Sequence, residues 1–388
     1  MPRAPDEQFL NLIGQRLRRG RDRFKPPVWS VYENDFGFAE IWIPSNGCRW
    51  DFQGQCTMCN YGFPQKVLPE HSIEAVERGL AQLSKPPEVL WVGAFNMFDD
   101  REVPREVRRA IFELLAQSGA DTIITETHSC TISYTAVREC VEILDNQTFG
   151  IEVGIESMND FVRRWCINKD ISKSQIVAAV RDVHKAGGVF YANLLLGAPF
   201  LSELEAIEDV ITSIRECDAL GIDYFVIFPN HVKAHTVVQW LYDHDEYTPP
   251  SLWALVEVLR RIDGDTDLLP RLLHAWIAPV DHPGAVDGVA PEAGSETAQV
   301  ITHLTNYQAN QSRESLGWLF DHRSHERDQW QADLFNGQKE PLVERLEKIF
   351  PKVGRAVLGN AWWELHGERV IDRLYASWRE ARFDTFAP

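Results

Sequence analysis

Residues 46–64 read NGCRWDFQGQCTMCNYGFP and place Cys48, Cys56 and Cys59 in a C-x7-C-x2-C spacing. A closed structural zinc site asks for four protein ligands, and no fourth Cys or His stands at ribbon spacing here. An iron–sulfur cubane also takes four ligands, but one of them can come from a bound small molecule. Three thiolates on one loop would leave one iron open. An open zinc site and three simply buried cysteines are the other readings of the same residues.

The segment before the loop, FGFAEIWIPSNGC (36–48), is rich in Ile, Trp and Phe and ends in Asn-Gly. It reads as a strand running straight into the cysteines. Beyond the loop, helical spacing at 72–85, 104–119, 132–146, 172–188 and 202–221 alternates with short apolar runs at 88–98, 121–129, 149–157, 189–200 and 223–232. Alternation of this kind gives parallel strands joined by right-handed crossovers, with both faces covered. Six strands and five helices between about Phe36 and His231 predict an α/β fold, a partial (β/α)6 TIM-type barrel. Chemistry in such a barrel sits at the C-terminal strand ends. Here those ends carry Asn46, Gly93 with Asn96, Glu126 with His128, Glu156, Asn193 and Asn230.

After about residue 235 helices dominate, among them SLWALVEVLRRI (251–262) and EPLVERLEKIF (340–350), around a loop APVDHPGAVDGVAPEAGS (278–295). The expected organisation is an N-terminal extension (1–35), the barrel (36–235) and a mostly helical C-terminal capping region (236–388). Acidic residues outnumber basic ones 57 to 39, for a formal charge of -18, the opposite of a general nucleic-acid binder. The one basic run, RLRRGRDRFK (16–25), reads as a solvated helical face. No apolar run approaches a membrane span, and an odd count of seven cysteines argues against a disulfide framework. A reducing, cytoplasmic setting without membrane association is expected.

A three-cysteine loop after the first strand of a six-unit barrel resembles the radical S-adenosylmethionine (AdoMet) superfamily. The longer first gap resembles its elongator-like branch. GAFNMFDDREVPREVRRAI (93–111), GIEVGIESMNDFVRRWCINKD (150–170), LLLGAPFLSELEAIEDVITSI (194–214) and YTPPSLWALVEVLRRI (247–262) are similar to successive blocks of the archaeosine-synthase radical AdoMet subunit. The resemblance implies a [4Fe–4S] cluster on Cys48, Cys56 and Cys59, with S-adenosylmethionine chelating the open iron. It implies that Met58 packs on adenine and that Gly93, Ala94, Phe95 and Asn96 receive the methionine amino group. It further implies that Glu126, Glu156 and Asn193 bind the ribose and methionine, and that Lys169 pairs with the methionine carboxylate. An electron donor such as flavodoxin or ferredoxin is the implied redox partner.

The sequence departs from that subunit in three places. ETHSC (126–130) puts His128 where the relative carries an arginine, Gly197 leads GAPF where it carries a lysine, and its C-terminal Cys-x-x-Cys is absent. With the acidic balance, these departures disfavour tRNA as a partner. The expectation is a radical AdoMet enzyme, of lyase or oxidoreductase type, acting on a small polar metabolite such as a nucleoside, sugar or amino-acid derivative. His128, Asn230 and His231, with His235 nearby, are placed to contact that substrate. A tRNA-modifying radical lyase and a non-catalytic iron–sulfur or zinc protein are the alternatives.

Overall fold

The computed structural model of the protein describes residues 4–19, 29–62, 67–265, 267–277, 288–337 and 340–381. Most of the expected loop at 278–295 and of the basic run beyond Arg19 lies outside the described residues. The main sheet comprises β1 (Ser30–Glu33), β2 (Phe38–Trp42), β3 (Val89–Gly93), β4 (Thr122–Thr127), β5 (Thr148–Glu156), β6 (Val189–Leu196), β7 (Tyr224–Pro229) and β9 (Leu272–His274). A two-residue strand β8 (Val232–Lys233) pairs separately with β10 (Gly288–Val289). The order in the main sheet is β1-β2-β3-β4-β5-β6-β7-β9. Only β1 runs antiparallel, and β1 and β9 are the two edges of an open barrel.

Helices α3 (Pro69–Gln82), α4 (Arg105–Leu115), α5 (Tyr134–Leu144), α6 (Lys173–Ala186) and α7 (Glu203–Ala219) connect the parallel strands. Their starts follow capping chemistry: Ser172 with Gln175 and Ser202 with Glu205 form capping boxes at α6 and α7. The remaining helices are α1 (Phe9–Arg18), the short α2 (Arg49–Phe52), α8 (Val237–Tyr242), α9 (Leu252–Ile262), α10 (Thr297–Asn310), α11 (Arg313–Asp321), α12 (His325–Asn336), α13 (Leu342–Leu358) and α14 (Asn360–Glu380). The six expected strands and five connecting helices are all present, and the C-terminal region is helical. The sheet nevertheless runs past both expected boundaries, since β1 precedes residue 36 and β9 follows residue 235. Each is too short to stand out in the hydrophobic pattern.

Strand alternation divides the interior into two environments. Ala39, Ile41, Leu90, Val92, Ile123, Phe149, Ile151, Phe190, Ala192 and Phe225 face the helices in the main core. Trp42, Trp91, Ile124, Tyr191 and Val226 fill the lumen as a separate cluster. The same lumen-facing phase carries Glu40, Glu126, Glu152 and Asn193. Register confirms it, pairing Glu126 with Glu152 and Gly154 with Asn193.

A second apolar core lies outside the barrel. It joins α1, α13 and α14 to the cysteine loop through Phe9, Ile13, Cys56, Phe161, Phe200, Phe350 and Trp363. Phe350 is its hub, fully buried with ring centroids 5.1 Å from Phe9 and 5.7 Å from Phe200. Phe350→Ala removes a buried ring that its neighbours cannot replace, and should cost about 3–5 kcal/mol in urea unfolding. An unchanged midpoint would mean that these helices add nothing to the stability of the fold.

Candidate active site

The cysteine loop starts where β2 ends. Cys48 caps α2, and its amide donates to the Tyr61 carbonyl at 3.4 Å. Beyond α2 the chain turns back through Gly54. Cys56 itself adopts a left-handed backbone (φ 58°), which a non-glycine residue holds only where its surroundings fix it. The fixing contacts come from a π-helical turn, Val162–Ile167, that follows β5. The Cys56 amide donates to the Asn168 carbonyl at 3.2 Å, and the Thr57 amide to the Ile167 carbonyl at 2.9 Å. The Thr57 hydroxyl donates to the Cys166 carbonyl at 2.7 Å.

One cavity at the C-terminal strand ends is lined by Cys48, Cys56 and Cys59 together with Met58, Phe95, Asn96, Glu126, His128, Glu156, Lys169, Asn193, Asn230 and His231. Most of the expected site residues therefore converge. Gly93, which ends β3, and Ala94 just beyond it lie beside this cavity without lining it, and His235 lies apart, its amide donating to Gln239. A larger polar groove of about 500 Å³ opens behind the loop between α1, the π-turn and α14, but it contains none of the three cysteines.

The electrostatics of the cavity follow from burial. The Lys169 ammonium donates to Glu156 Oε1 at 2.8 Å, in a pair whose side chains are almost fully buried. Burial works against that charge, but Glu156 and the neighbouring acidic groups hold the lysine above its usual value. Glu156 ends β5 at a register shift and has φ 68°, so the backbone is bent to aim this carboxylate. Gly154 makes room for the pair, because a Cβ there would lie 2.5 Å from Lys169 Nζ. Burial pushes the Glu126 carboxyl up to about 8, and neighbouring Glu152 adds to the rise. Burial likewise lifts Glu152 to about 7, although the Trp91 indole and Asn193 amide both donate to it.

Several polar atoms here lack partners. Asn193 commits Nδ2 to Glu152, while its Oδ1 is buried and unpaired. His128 stacks on Trp50 at 3.9 Å and accepts from the Cys130 amide at Nδ1, with Nε2 left unpaired. Burial holds its imidazole neutral, well below the usual histidine range. His231 pairs Nε2 with the Trp276 carbonyl at 2.6 Å and leaves Nδ1 unpaired; burial lowers it to about 4. Asn230, by contrast, donates to the Gly197 carbonyl and to Tyr247 Oη, which is a structural assignment. Asn96 is held by Glu102, which accepts from both its backbone and side-chain nitrogens.

Lys233 was not singled out by the sequence reading. Its ammonium lies 4.5 Å from the Tyr61 ring centroid and 4.7 Å from that of Trp276, and it donates to Tyr61 Oη at 3.1 Å. Among the described residues it has no carboxylate partner, and burial lowers its pKa. Tyr61 stacks on Phe95 at 4.7 Å, and Phe228 packs edge-on against Trp276. Lys233 sits on a two-residue strand whose partner β10 is 55 residues away. No local sequence pattern marks it.

Residues 42–227 match the radical SAM superfamily. The beta subunit of archaeosine synthase from Methanosarcina acetivorans is 33% identical over 234 residues, covering 58% of this chain and 67% of the relative. The corresponding subunit from Thermococcus kodakarensis is 33% identical over 228 residues, covering 56% and 70%. The solved structure of Methanocaldococcus infernus Elp3 superposes with a TM-score of 0.47 at 15% identity, over 71% of this chain and 64% of that one. The chain belongs to the radical SAM superfamily, whose members use a [4Fe–4S] cluster and AdoMet.

The residues present fit those cofactors. Three unpaired thiols share one cavity with the unpaired Asn193 Oδ1 and His128 Nε2. Among the described residues no three His, Cys, Asp or Glu side chains gather as one metal ion would require. A cubane differs, because its thiolates bind separate irons and stand further apart.

These relatives correct the expectation that tRNA is disfavoured as a partner, since archaeosine synthase modifies tRNA. The physical reason is that formal charge overstates the surface field. Formal charge counts every carboxylate alike, whereas Glu102, Glu126, Glu152 and Asp209 are buried and raised to about 7 or 8, so Glu126 is mostly protonated and the others about half protonated at neutral pH, all of them away from the surface that a polyanion meets. No helix among the described residues is long and apolar enough to cross a membrane.

The raised Glu126 carboxyl has a thermodynamic consequence. The folded chain keeps a proton there up to about pH 8, while the unfolded chain releases it near the ordinary 4.5. Its stabilising contribution is therefore present at low pH and lost as pH rises from about 4.5 through about 8. In cluster-free protein, Glu126→Gln should flatten the decline of Tm across that window. Identical slopes for the two proteins would place the carboxyl in water.

Proposed function

We propose that this chain is a radical AdoMet enzyme, lyase-type in outcome, acting on a nucleobase carried by tRNA as its archaeosine synthase relatives suggest. The observation that carries the reading is the shared cavity, where three thiols and the unpaired polar atoms adjoin a slot walled by Tyr61, Phe95, Phe228 and Trp276. An enzyme that works on a base must take it out of its stack, and aromatic walls replace the lost stacking at about 1–3 kcal/mol per base.

When bound, the cluster supplies the electron that splits AdoMet into methionine and a 5'-deoxyadenosyl radical, which takes a hydrogen atom from the substrate. Cys48, Cys56 and Cys59 would be the residues that hold the cluster. With AdoMet bound, the unpaired Asn193 Oδ1 would accept from the ribose, Glu126 and Glu156 would border the nucleoside, and Met58 would pack against adenine. Lys169, neutralised by Glu156, directs rather than balances the methionine carboxylate. Phe95 and Asn96, from the segment after β3, would border the methionine end. On the substrate side, neutral His128 and His231 offer hydrogen bonds through the ring nitrogens left open. Lys233 meets an electron-rich or anionic group at the aromatic slot. The lumen floor of Trp42, Trp91, Ile124, Tyr191 and Val226 closes the site from below and excludes water. All seven cysteines are unpaired, which suits a reducing cytoplasm and a flavodoxin- or ferredoxin-type electron donor.

Two measurements test this reading. Replacing Cys48, Cys56 or Cys59 singly by Ala should remove the cluster, seen as loss of iron, sulfide and broad visible absorption after anaerobic reconstitution. Full iron in any one of these variants would break the assignment. Incubation of the reduced holoenzyme with AdoMet should release 5'-deoxyadenosine in step with a mass change in a nucleoside of unfractionated tRNA. Lys233→Met should lower that tRNA-dependent turnover about ten- to a hundredfold, the loss of a hydrogen bond to a charged group, while AdoMet affinity stays the same. Turnover with free nucleosides but not with tRNA would return the substrate to the small-metabolite class.

A further inference from the structure

One arginine of the basic run departs from a solvated face. Arg16 and Arg19 are exposed, but the Arg18 side chain is only 7% exposed and points into the cysteine loop. Its Nη2 lies 2.7 Å from the Gln55 carbonyl oxygen and 2.8 Å from those of Cys56 and Cys59. One amino group has two hydrogens, so three acceptors at this distance share them in a three-centre arrangement. The guanidinium also pairs through Nε with Asp51 Oδ1 at 2.5 Å, and Asp51 Oδ2 accepts from the Gly62 amide. A single side chain thus gathers both arms of the loop, including the carbonyls of two of the three cysteines.

The rest of α1 is built to deliver it. Asn11 and Gln15, one turn apart, both donate to the Gln53 carbonyl, at 3.2 and 3.0 Å. Gly14 and Gly54 let helix and loop backbones touch: a Cβ on Gly14 would lie 2.4 Å from the Gly54 oxygen, and one on Gly54 2.0 Å from the Asn11 oxygen. Gly54 also has φ 79°, which a larger residue would resist. At its other end α1 is anchored to the C-terminal pair by Phe9 against Phe350 and Trp363, and by Asp6 paired with Arg373 at 2.5 Å.

We propose that Arg18 is a positioning residue for the iron–sulfur cluster. Delivered by a helix outside the barrel, it holds the Cys56–Cys59 segment in its ligating shape before any iron arrives. The inference rests on the reading that Cys48, Cys56 and Cys59 bind the cluster. Outer partners of metal ligands typically change metal retention by roughly 10- to 100-fold when removed.

The experiment has two arms. In cluster-free wild-type protein, backbone amides of residues 53–62 should resist hydrogen exchange, and Arg18→Gln should lose that protection there while the barrel strands keep theirs. In reconstituted protein, Arg18→Gln should release iron to a chelator roughly 10- to 100-fold faster than wild type. Arg18→Lys, which keeps the charge but cannot reach both Asp51 and the loop carbonyls at once, should fall between them, and Arg16→Gln should match wild type. The reduced cluster's EPR signal should broaden in Arg18→Gln, which a global loss of stability would not cause. An unprotected loop in cluster-free wild type, or equal iron release from a folded Arg18→Gln protein, overturns the proposal. Wild-type protein that takes up no iron would instead overturn the cluster reading, and the exchange arm still decides whether Arg18 orders the loop.

Discussion

The segment from Cys48 to Gly62 holds one turn of helix and no strand, so its backbone donors and acceptors must be satisfied from elsewhere. Three separate parts of the fold do so. The turn after β5 accepts the amides of Cys56 and Thr57, α8 donates the Val238 amide to the Thr57 carbonyl, and α1 donates to the carbonyls of Gln53, Gln55, Cys56 and Cys59. The positions of the thiols are therefore set by how β5, α8 and α1 sit on one another. A ligand loop built this way has its shape only when the whole fold has formed.

The lumen shows the opposite economy of charge. Glu40, Glu126 and Glu152 face inward on β2, β4 and β5, where water is scarce, and burial lifts all three. Glu152 receives the Trp91 indole at 3.2 Å, and Glu40 receives the Trp42 indole. The tryptophans thus act twice, as apolar fill and as donors to acids that would otherwise be unpaired. Glu152 in turn fixes the Asn193 amide, and the unpaired Oδ1 faces the site as a consequence. A carboxyl inside β5 thus orients Asn193, the residue on the neighbouring β6 that faces the site.

Much of the fold was legible because six strands of near-continuous apolar sequence alternate with helices of strong amphipathic period. The three cysteines and the polar strand ends were legible for a related reason: parallel strands all end on one face, so residues such as Glu126, Glu156 and Asn193 must meet. What escaped depends on partners distant in sequence. β1 and β9 are recognisable only by the neighbours they pair with. Lys233 gains meaning from Tyr61 and Trp276, 172 and 43 residues away. Arg18 lies in a run of arginines with no difference in local pattern from Arg16 or Arg19; only helical phase and the Gly14–Gly54 contact turn it inward. Asn230 failed in the other direction, since its position at a strand end said nothing of Gly197 and Tyr247, which take up its amide.

Net charge misled for a physical reason that bears on recognition. A count of -18 weights every carboxylate equally, whereas a polyanion senses only the field at the surface it approaches. Interior acids such as Glu126, raised by burial to about 8, contribute least to that field. At the cavity the one cation facing the aromatic slot is Lys233, unmatched by any carboxylate among the described residues. On the proposed reading, an acidic protein with such a slot would recognise a base chiefly through ring faces and a single buried ammonium. Binding of that kind depends on reaching the pocket, which a flipped base does and a phosphate backbone does not.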